Sequence, residues 1–174
     1  MTATTQPLSL RLDGILQVKL PVTDLESSMR WYHDLLGLRL WVEFVEDGVL
    51  RGAGMIDPDG RFNIALRDRA VCASNPDLAG FDVVAFAPHT PEVLDDLVEH
   101  CGRLGIPNSG VQQRPGGCWL DIPDPDGTVL RFYHHTDPTD RFMGVEFRRD
   151  AAPTNYSVPH TDIPAQLTPS EEGS

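Results

Sequence analysis

The sequence predicts an α+β fold made of two tandem βαβββ modules. Three observations lead to this prediction. The tetrapeptide DPDG occurs at residues 57–60 and again at residues 124–127, which is 124 − 57 = 67 residues later. Each copy separates two strand-like segments. Each half of the chain also begins with one strand-like segment followed by an amphipathic helical segment, and this recurring order indicates an internal repeat.

The first half has the pattern of a strand, a helix and three more strands. Residues 15–22 alternate between apolar and other side chains, which indicates a strand with one buried side. Thr23 is the predicted N-cap of the helix, Glu26 completes a capping box, and Gly37 ends the helix. The remaining strands are predicted at residues 38–44, 49–56 and 62–66, and the first DPDG turn joins the last two.

The second half repeats this order. Residues 81–87 are rich in β-branched and aromatic side chains and are predicted to form a strand. Thr90 is the predicted N-cap of a second helix that has Pro91 at its first position and ends at Gly105. The other strands are predicted near residues 110–111, at residues 117–122 and at residues 128–133, with the second DPDG turn between the last two.

The repeat also predicts the domain organisation. We expect an N-terminal arm at residues 1–11, one domain at residues 12–136 and a C-terminal extension at residues 137–174. The two modules of the domain are predicted at about residues 12–68 and 80–136. The extension is rich in proline, threonine and acidic residues, so we expect it to pack locally through residues 142–147 and to be disordered in its last segment, QLTPSEEGS.

Composition argues against several classes of partner. The chain has 174 residues and a formal net charge of −12, whereas nucleic acids and anionic membranes attract a basic face. No apolar run is long enough to cross a bilayer, and the N-terminal sequence lacks the basic and apolar segments of a secretion signal. Cys72, Cys101 and Cys118 are widely spaced, which is typical of reduced thiols. The expected location is therefore the cytoplasm.

Three segments resemble the vicinal oxygen chelate superfamily, which includes glyoxalase I, extradiol dioxygenases and bleomycin resistance proteins. They are QVKLPVTDLESSMRWYHDLLGLRL at residues 17–40, VVAF at residues 83–86 and DPDGTVLRFY at residues 124–133. The resemblance covers residues 12–136. It implies that the two βαβββ modules form curled mixed sheets around a cavity. It leaves the reaction open, because this fold hosts many chemistries.

Most enzymes of that superfamily hold one divalent metal ion. The resemblance places the ligand positions at Gln17, Val83, Arg131 and Ala65, or at Ile64 if the last position is aligned strictly to the turn. Only Gln17 can donate an oxygen atom, whereas a catalytic divalent site takes about three protein ligands. Arg131 would also put a positive charge where the cation would lie. We therefore expect no metal ion and no other cofactor.

Strand parity predicts the side chains that face the implied cavity. Lys19 and Tyr133 are the candidate catalytic residues, with acid–base roles. The candidate ligand-binding residues are Gln17, Trp41, Asn63, Arg67, Val83, Trp119 and Arg131. Glutamine, asparagine, arginine and tryptophan together suit a planar polar or anionic ligand, since tryptophan stacks on rings and arginine presents a fork of donors.

Lys19 is the only lysine in the chain, beside 13 arginines. Two interpretations of it remain open. In the first, the chain simply uses arginine throughout, and Lys19 lies at an edge or in solvent. In the second, Lys19 and Arg131 form a cationic floor that binds a carboxylate, phosphate or enolate group. Desolvation beside Arg131 would then lower the pKa of Lys19 towards that of a general base.

The sequence leaves three functions open. The first is a metal-free protein that binds a small polar or anionic organic molecule for sequestration or sensing, as bleomycin resistance proteins do. The alternative is an enzyme, namely a lyase, isomerase, cyclase or dioxygenase acting on a small carbonyl or aromatic substrate. The third is a regulatory or structural module whose cavity is filled by side chains. The expected partners are a small-molecule ligand and a second copy of the chain, because an open curved sheet leaves edges to cover.

Overall fold

The computed structural model describes residues 14–114, 116–136 and 144–157. The predicted N-terminal arm and the final segment QLTPSEEGS lie outside these residues. The chain forms two compact units. The first unit extends to Val84 and also includes Pro123–Val129, and the second comprises Ala85–Ile122 and the residues from Leu130 onward.

Within the described residues, the first unit contains one α-helix, a one-turn 3₁₀ segment (Arg69–Val71) and a four-stranded mixed sheet. Its elements are β1 (Val18–Val22), α1 (Leu25–Leu36), β2 (Arg39–Glu46), β3 (Val49–Ile56) and β4 (Asn63–Asp68). The strand order is β1-β4-β3-β2, so the sheet is open and has β1 and β2 at its edges. β1 and β4 are parallel, whereas the β2–β3 and β3–β4 pairs are antiparallel. This confirms the βαβββ order of the first module.

The apolar core of the first unit is formed by α1 and the sheet. α1 contacts β3 and β4. The buried side chains include Leu20, Val22, Tyr32, Leu35, Ile64 and Leu66. Full burial of one such aliphatic side chain contributes about 1.5–3 kcal/mol. Because side chains alternate along a strand, Lys19 of β1 and the pair Ala65 and Arg67 of β4 lie on the opposite face from this core.

α1 begins one residue later than the sequence predicts. Its N-cap is Asp24, whose Oδ1 accepts a hydrogen bond from the backbone N–H of Ser27 at 2.9 Å. That hydrogen bond lowers the pKa of the Asp24 carboxyl below its ordinary value. The predicted cap at Thr23 is therefore wrong. The predicted end is confirmed, because Gly37 adopts the left-handed conformation with φ of 68°.

The first aspartate of the second DPDG turn is anchored in the first unit. Asp124 is 5% exposed. Its carboxylate accepts a hydrogen bond from the Tyr32 hydroxyl at 3.0 Å and from the backbone N–H groups of Asp126 and Thr128 at 2.9 Å each. Burial is the main cause that raises the pKa of Asp124, and burial together with the nearby Asp124 charge raises the pKa of Tyr32.

The third residue of the same turn makes a second set of bonds. The Asp126 carboxylate accepts hydrogen bonds from the backbone N–H and the hydroxyl of Thr23, and it pairs with the Arg69 guanidinium at 3.1 Å. The backbone N–H of Gly80 also donates to the carbonyl of Gly127 at 2.8 Å. The second turn therefore closes the first unit, although it lies about 100 residues after α1.

The second unit contains the other helix and most of a second four-stranded sheet. The elements are β5 (Val84–Phe86), α2 (Glu92–Leu104), β6 (Gln112–Arg114), β7 (Gly117–Pro123) and β8 (Val129–His135). The strand order is β5-β8-β7-β6, and this open sheet repeats the βαβββ order of the first. β6 lies one or two residues beyond its predicted position. No helix within the described residues is long and apolar enough to span a membrane.

α2 follows its predicted bounds closely. Pro91 has helical backbone torsions and no side-chain cap, and the helix ends at Gly105, which is left-handed with φ of 68°. Thr90 does not cap the helix as predicted. Its side chain bonds instead to Glu92, and this bond is the main cause that lowers the pKa of Glu92.

The C-terminal extension forms a hairpin that the sequence did not predict. β9 (Gly144–Arg148) and β10 (Ala151–Tyr156) pair in antiparallel orientation, with Gly144 opposite Tyr156. A Cβ atom on Gly144 would lie 2.3–2.9 Å from the Tyr156 ring and hydroxyl, so glycine allows this ring to lie against the strand. Phe147 is 66% exposed, so it does not anchor the extension in a core.

Candidate functional site

A cavity of about 450 Å³ opens in the first unit. This volume lies within the range of roughly 300–1,000 Å³ found for small-molecule sites. Its lining residues are Lys19, Leu20, Pro21, Phe44, Ala65, Leu66, Arg67, Cys72 and Pro76. Most of the lining is apolar, and two cationic side chains and one thiol supply its polar groups.

The sheet register explains why this space is open. Two rows of neighbouring strand residues cross the cavity face: Lys19, Ala65 and Gly54 in one row, and Pro21, Arg67 and Gly52 in the next. β3 therefore presents glycine in both rows. A Cβ atom on Gly52 would lie 2.8 Å from the Leu66 carbonyl oxygen and 3.1 Å from the Phe44 ring. The glycine allows the ring of Phe44 to lie across β3.

The two cations of the cavity differ in their partners. Arg67 forms an ion pair with Glu46 of β2, so a carboxylate offsets its charge. Lys19 is exposed, and no carboxylate of the described ranges forms an ion pair with it. The cavity therefore carries one uncompensated ammonium group beside an apolar wall, which is an arrangement suited to a negatively charged organic group.

Two more predicted ligand-binding residues, Gln17 and Asn63, belong to the first unit without lining the cavity. Gln17 is half-buried. Asn63 begins β4 and is 7% exposed, and its Nδ2 donates a hydrogen bond to the Leu16 carbonyl. The Asn63 Oδ1 atom is buried without a hydrogen-bond partner. An unpartnered buried oxygen of this kind is uncommon, since most buried polar atoms are paired.

Trp41 and Val83 also lie apart from the cavity lining. Trp41 is 54% exposed and occupies an irregularity of the edge strand β2, between the paired residues Leu40 and Val42. Val83 is half-buried and directly precedes β5 instead of lying within a strand. Of the residues predicted for this unit, the structure thus brings Lys19 and Arg67 together at one cavity.

The remaining predicted residues belong to the second unit. The Arg131 guanidinium donates two hydrogen bonds to the Asp121 carboxylate, from Nε at 2.8 Å and from Nη2 at 2.9 Å. The Arg131 charge is thus offset within its own unit. The predicted cationic floor of Lys19 and Arg131 stays a hypothesis, because each residue is described in a different unit.

Trp119 and Tyr133 of the second unit meet around a residue that the sequence analysis missed. Tyr133 is 7% exposed, and its hydroxyl oxygen accepts a hydrogen bond from Arg114 Nε at 2.9 Å. The Arg114 guanidinium carbon lies 4.3 Å from the centre of the Tyr133 ring and 5.1 Å from that of Trp119. The available signal was the RPGG sequence, which places an arginine at the base of a hairpin turn.

The residues at the implied metal positions do not fit a divalent cation. Of the residues in the first unit, Gln17 offers one amide oxygen and Ala65 offers no donor atom. In the second unit, Arg131 is a cation already bonded to Asp121. Across the part of the chain that the structure describes, no cluster of three or more histidine, cysteine, aspartate or glutamate side chains is arranged to hold a metal ion.

Comparison with known proteins gives one family. The model of the Glyoxalase/Bleomycin resistance protein/Dioxygenase superfamily matches residues 14–139. No curated protein matches the chain. Among solved structures, the chain is similar to a glyoxylase/bleomycin resistance protein/dioxygenase domain from Frankia sp. EAN1pec. The identity is 28% and the TM-score is 0.62, and the match covers 74% of this chain and 96% of that one.

Two further solved structures share the fold at lower identity. Lactoylglutathione lyase from Agrobacterium tumefaciens is 20% identical, with a TM-score of 0.56 and coverage of 71% of this chain and 95% of that one. TnmS3, an antibiotic binding protein from a Streptomyces species, is 17% identical, with a TM-score of 0.58 and coverage of 74% of this chain and 100% of that one.

Proposed function

Because the chain belongs to the Glyoxalase/Bleomycin resistance protein/Dioxygenase superfamily, we propose that its first unit binds a small organic anion without a metal ion. The observation that carries the proposal is the cavity of about 450 Å³ with Lys19 in its lining. The ammonium group donates charge-assisted hydrogen bonds to a carboxylate, sulfonate or phosphate group. The apolar body of the ligand packs against Phe44 and Pro21.

Relatives with this fold support two classes of function. TnmS3 is described as an antibiotic binding protein, and another relative is described as lactoylglutathione lyase. The residues at the implied metal positions favour binding over metal-dependent catalysis, because only Gln17 among them can donate an oxygen atom. An enzyme that acts without a metal, with Lys19 as general base, is the alternative, and turnover of a bound carbonyl compound would distinguish it from a binding protein.

The charge of Lys19 is tested with two fluorescent probes of nearly the same shape. The anion 8-anilinonaphthalene-1-sulfonate carries a sulfonate group, whereas N-phenyl-1-naphthylamine has the same ring system without the charge. We expect Lys19→Met to weaken binding of the anionic probe at least tenfold. A hydrogen bond to a charged group contributes about 1.5–3 kcal/mol, and 1.4 kcal/mol is a factor of ten. Binding of the neutral probe should change little, since methionine keeps the apolar stem. Fluorescence titration measures both constants.

The matched control is Arg103→Met, which removes one positive charge from the exposed surface of α2, where Arg103 pairs with Glu99. It should leave both probe affinities unchanged. Each titration is repeated after treatment with a chelator, and we expect the same affinities because no metal ion takes part. Equal weakening of both probes by Lys19→Met, or loss of anionic binding after chelation, would contradict the proposal.

The homodimer and the cytoplasmic location remain predictions. β2 is an edge strand whose exposed side chains include the apolar residues Leu40, Trp41, Val42 and Val45. Covering this edge would bury apolar surface that water now contacts. We expect light scattering after gel filtration to give twice the chain mass of 19.2 kDa. A mass of one chain at micromolar concentration would contradict this prediction.

A further inference from the structure

Arg114 of the second unit is held in place by aromatic side chains. It ends β6, where it pairs with Gly117 of β7. Its Nε donates to the Tyr133 hydroxyl oxygen at 2.9 Å, and its guanidinium lies over the Tyr133 and Trp119 rings. The Tyr133 hydroxyl in turn donates to the carbonyl of Gly116 at 3.4 Å. The aromatic rings thus hold the flat face of the guanidinium, and the Tyr133 hydroxyl holds its Nε atom.

The terminal nitrogen atoms of Arg114 have no acceptor within the described parts of the chain. Other arginines of the same unit behave differently, since Arg131 pairs with Asp121 and Arg148 pairs with Glu146. The contrast is informative because acidic residues outnumber lysine and arginine by 26 to 14. Arg114 is half-buried, so its guanidinium is only partly hydrated.

The lowered pKa of the neighbouring His135 supports an uncompensated positive charge at Arg114. The His135 ring lies edge-on to the Tyr133 ring, with 4.1 Å between ring centres. Burial, then the positive charge of Arg114 and then that of His134 lower the pKa of His135 below its ordinary value. No carboxylate is among the causes that shift it. The charge of the Arg114 guanidinium is thus the larger of the two positive charges that act on His135.

We propose that Arg114 is an oxyanion-binding residue, whose two terminal nitrogen atoms hold the carboxylate group of an organic acid. The planar fork of a guanidinium matches the two oxygen atoms of a carboxylate and forms two parallel hydrogen bonds with it. Tyr133 acts as a positioning residue that fixes the fork through Nε. The half-buried Trp119 ring provides an apolar surface for the body of an aromatic acid.

The site is tested by titrating the ¹⁵N-labelled full chain with benzoate, acetate and inorganic phosphate. The Nε–H signal of Arg114 and the indole N–H signal of Trp119 report on this place alone. We expect saturable shifts of both signals with benzoate, and weaker binding of acetate, which lacks a ring. Phosphate should bind more weakly than benzoate if the ligand is a carboxylic acid. Tighter binding of phosphate would overturn the assignment to carboxylates.

Variants separate binding from support of the fold. Arg114→Met should abolish the saturable shift at Trp119. Arg114→Lys, which keeps the charge but loses the fork, should weaken benzoate binding about tenfold. Tyr133→Phe keeps the ring and removes the hydroxyl group, and we expect weakening of about threefold. Arg148→Met, an exposed charge removal in the same unit, is the control and should bind like the unmodified chain.

Independence from the first unit is tested with Lys19→Met. This change should leave the benzoate shifts at Arg114 and Trp119 as they are, so that failure of one proposal does not imply failure of the other. The inference is overturned if the three anions leave the Arg114 signal unmoved at millimolar concentration. It is also overturned if Arg114→Met retains the saturable shift at Trp119.

Discussion

Asp124→Ala is expected to lower the free energy of unfolding by about 3–5 kcal/mol, because the change removes a buried acceptor from three donors. The carboxylate accepts hydrogen bonds from the Tyr32 hydroxyl and from the backbone N–H groups of Asp126 and Thr128. Tyr32 and Thr128 are fully buried, so water cannot replace the lost acceptor without opening the core. Urea unfolding followed by circular dichroism measures the loss.

The first DPDG turn supplies a matched control. Asp57 occupies the same position in that turn, but its carboxylate bonds to the backbone of Asp59 and Arg61 and to the Arg61 guanidinium, within four residues. Arg61 is exposed and can be hydrated when the carboxylate is removed. Asp57→Ala should therefore cost less, about 1 kcal/mol. Equal losses for the two variants would show that the bonds from Asp124 to Tyr32 and Thr128 add nothing.

The same site also predicts a pH dependence. Burial raises the pKa of Asp124 above the ordinary value of 3.8, so the folded chain binds this proton more tightly than the unfolded chain. The stability that Asp124 contributes is thus fully present below pH 3.8 and declines as the pH rises through the raised pKa. Asp124→Asn cannot titrate. We expect the stability of the unmodified chain relative to Asp124→Asn to fall as the pH rises above 3.8, and a constant difference would contradict this.

Gly117→Ala is expected to destabilise the second unit by at least about 3 kcal/mol, because the new Cβ atom has no space. It would lie 2.2 Å from the His134 carbonyl oxygen and 3.0 Å from the Tyr133 hydroxyl. The glycine also has φ of 152°, which other residues rarely adopt. β7 would have to separate from β8, and Arg114, which pairs with Gly117, would lose its position. Thermal unfolding and the Arg114 Nε–H signal report both effects.

Gly102→Ala is the matched control for this prediction. Gly102 lies within α2, and a Cβ atom there would meet nothing within 4 Å apart from its chain neighbours and the backbone of its own helix. Alanine favours the helix by about 0.8–1.0 kcal/mol over glycine, so this variant should be slightly more stable than the unmodified chain. The two substitutions are chemically identical and have opposite expected signs. A Gly117→Ala variant as stable as the unmodified chain would disprove the close approach of β7 and β8.

The elements of both modules could be predicted because their signals are local. Alternation marked the strands, and the glycines at positions 37 and 105 marked the helix ends, where both adopt the left-handed conformation. The N-cap of α1 could not be predicted correctly from local sequence. Thr23 matches a capping box, but its backbone and hydroxyl bond to Asp126, which is 103 residues away. A contact of that separation leaves no local pattern.

The candidate site was predictable in part for the same reason. Parity along β1 and β4 placed Lys19 and Arg67 on one face, and both side chains line the cavity of the first unit. Phe44, Cys72 and Pro76 were missed, because they reach the cavity through the cross-strand register and through the loop after β4. The apolar face of a strand is readable from its sequence. Which residues of other strands contact a given side chain depends on the order of the strands in the sheet, and local sequence does not determine that order.

The second DPDG turn belongs to the first unit, and this delays the completion of folding of that unit during synthesis. The bulk of that unit ends at Val84, and its closing segment begins at Pro123, which is 123 − 84 = 39 residues later. A ribosome adds about 5–20 residues each second, so the growing chain waits roughly 2–8 s for this segment. Until then Tyr32 lacks its acceptor. The first unit thus cannot complete its folding until translation has passed Val129, well into the C-terminal half of the chain.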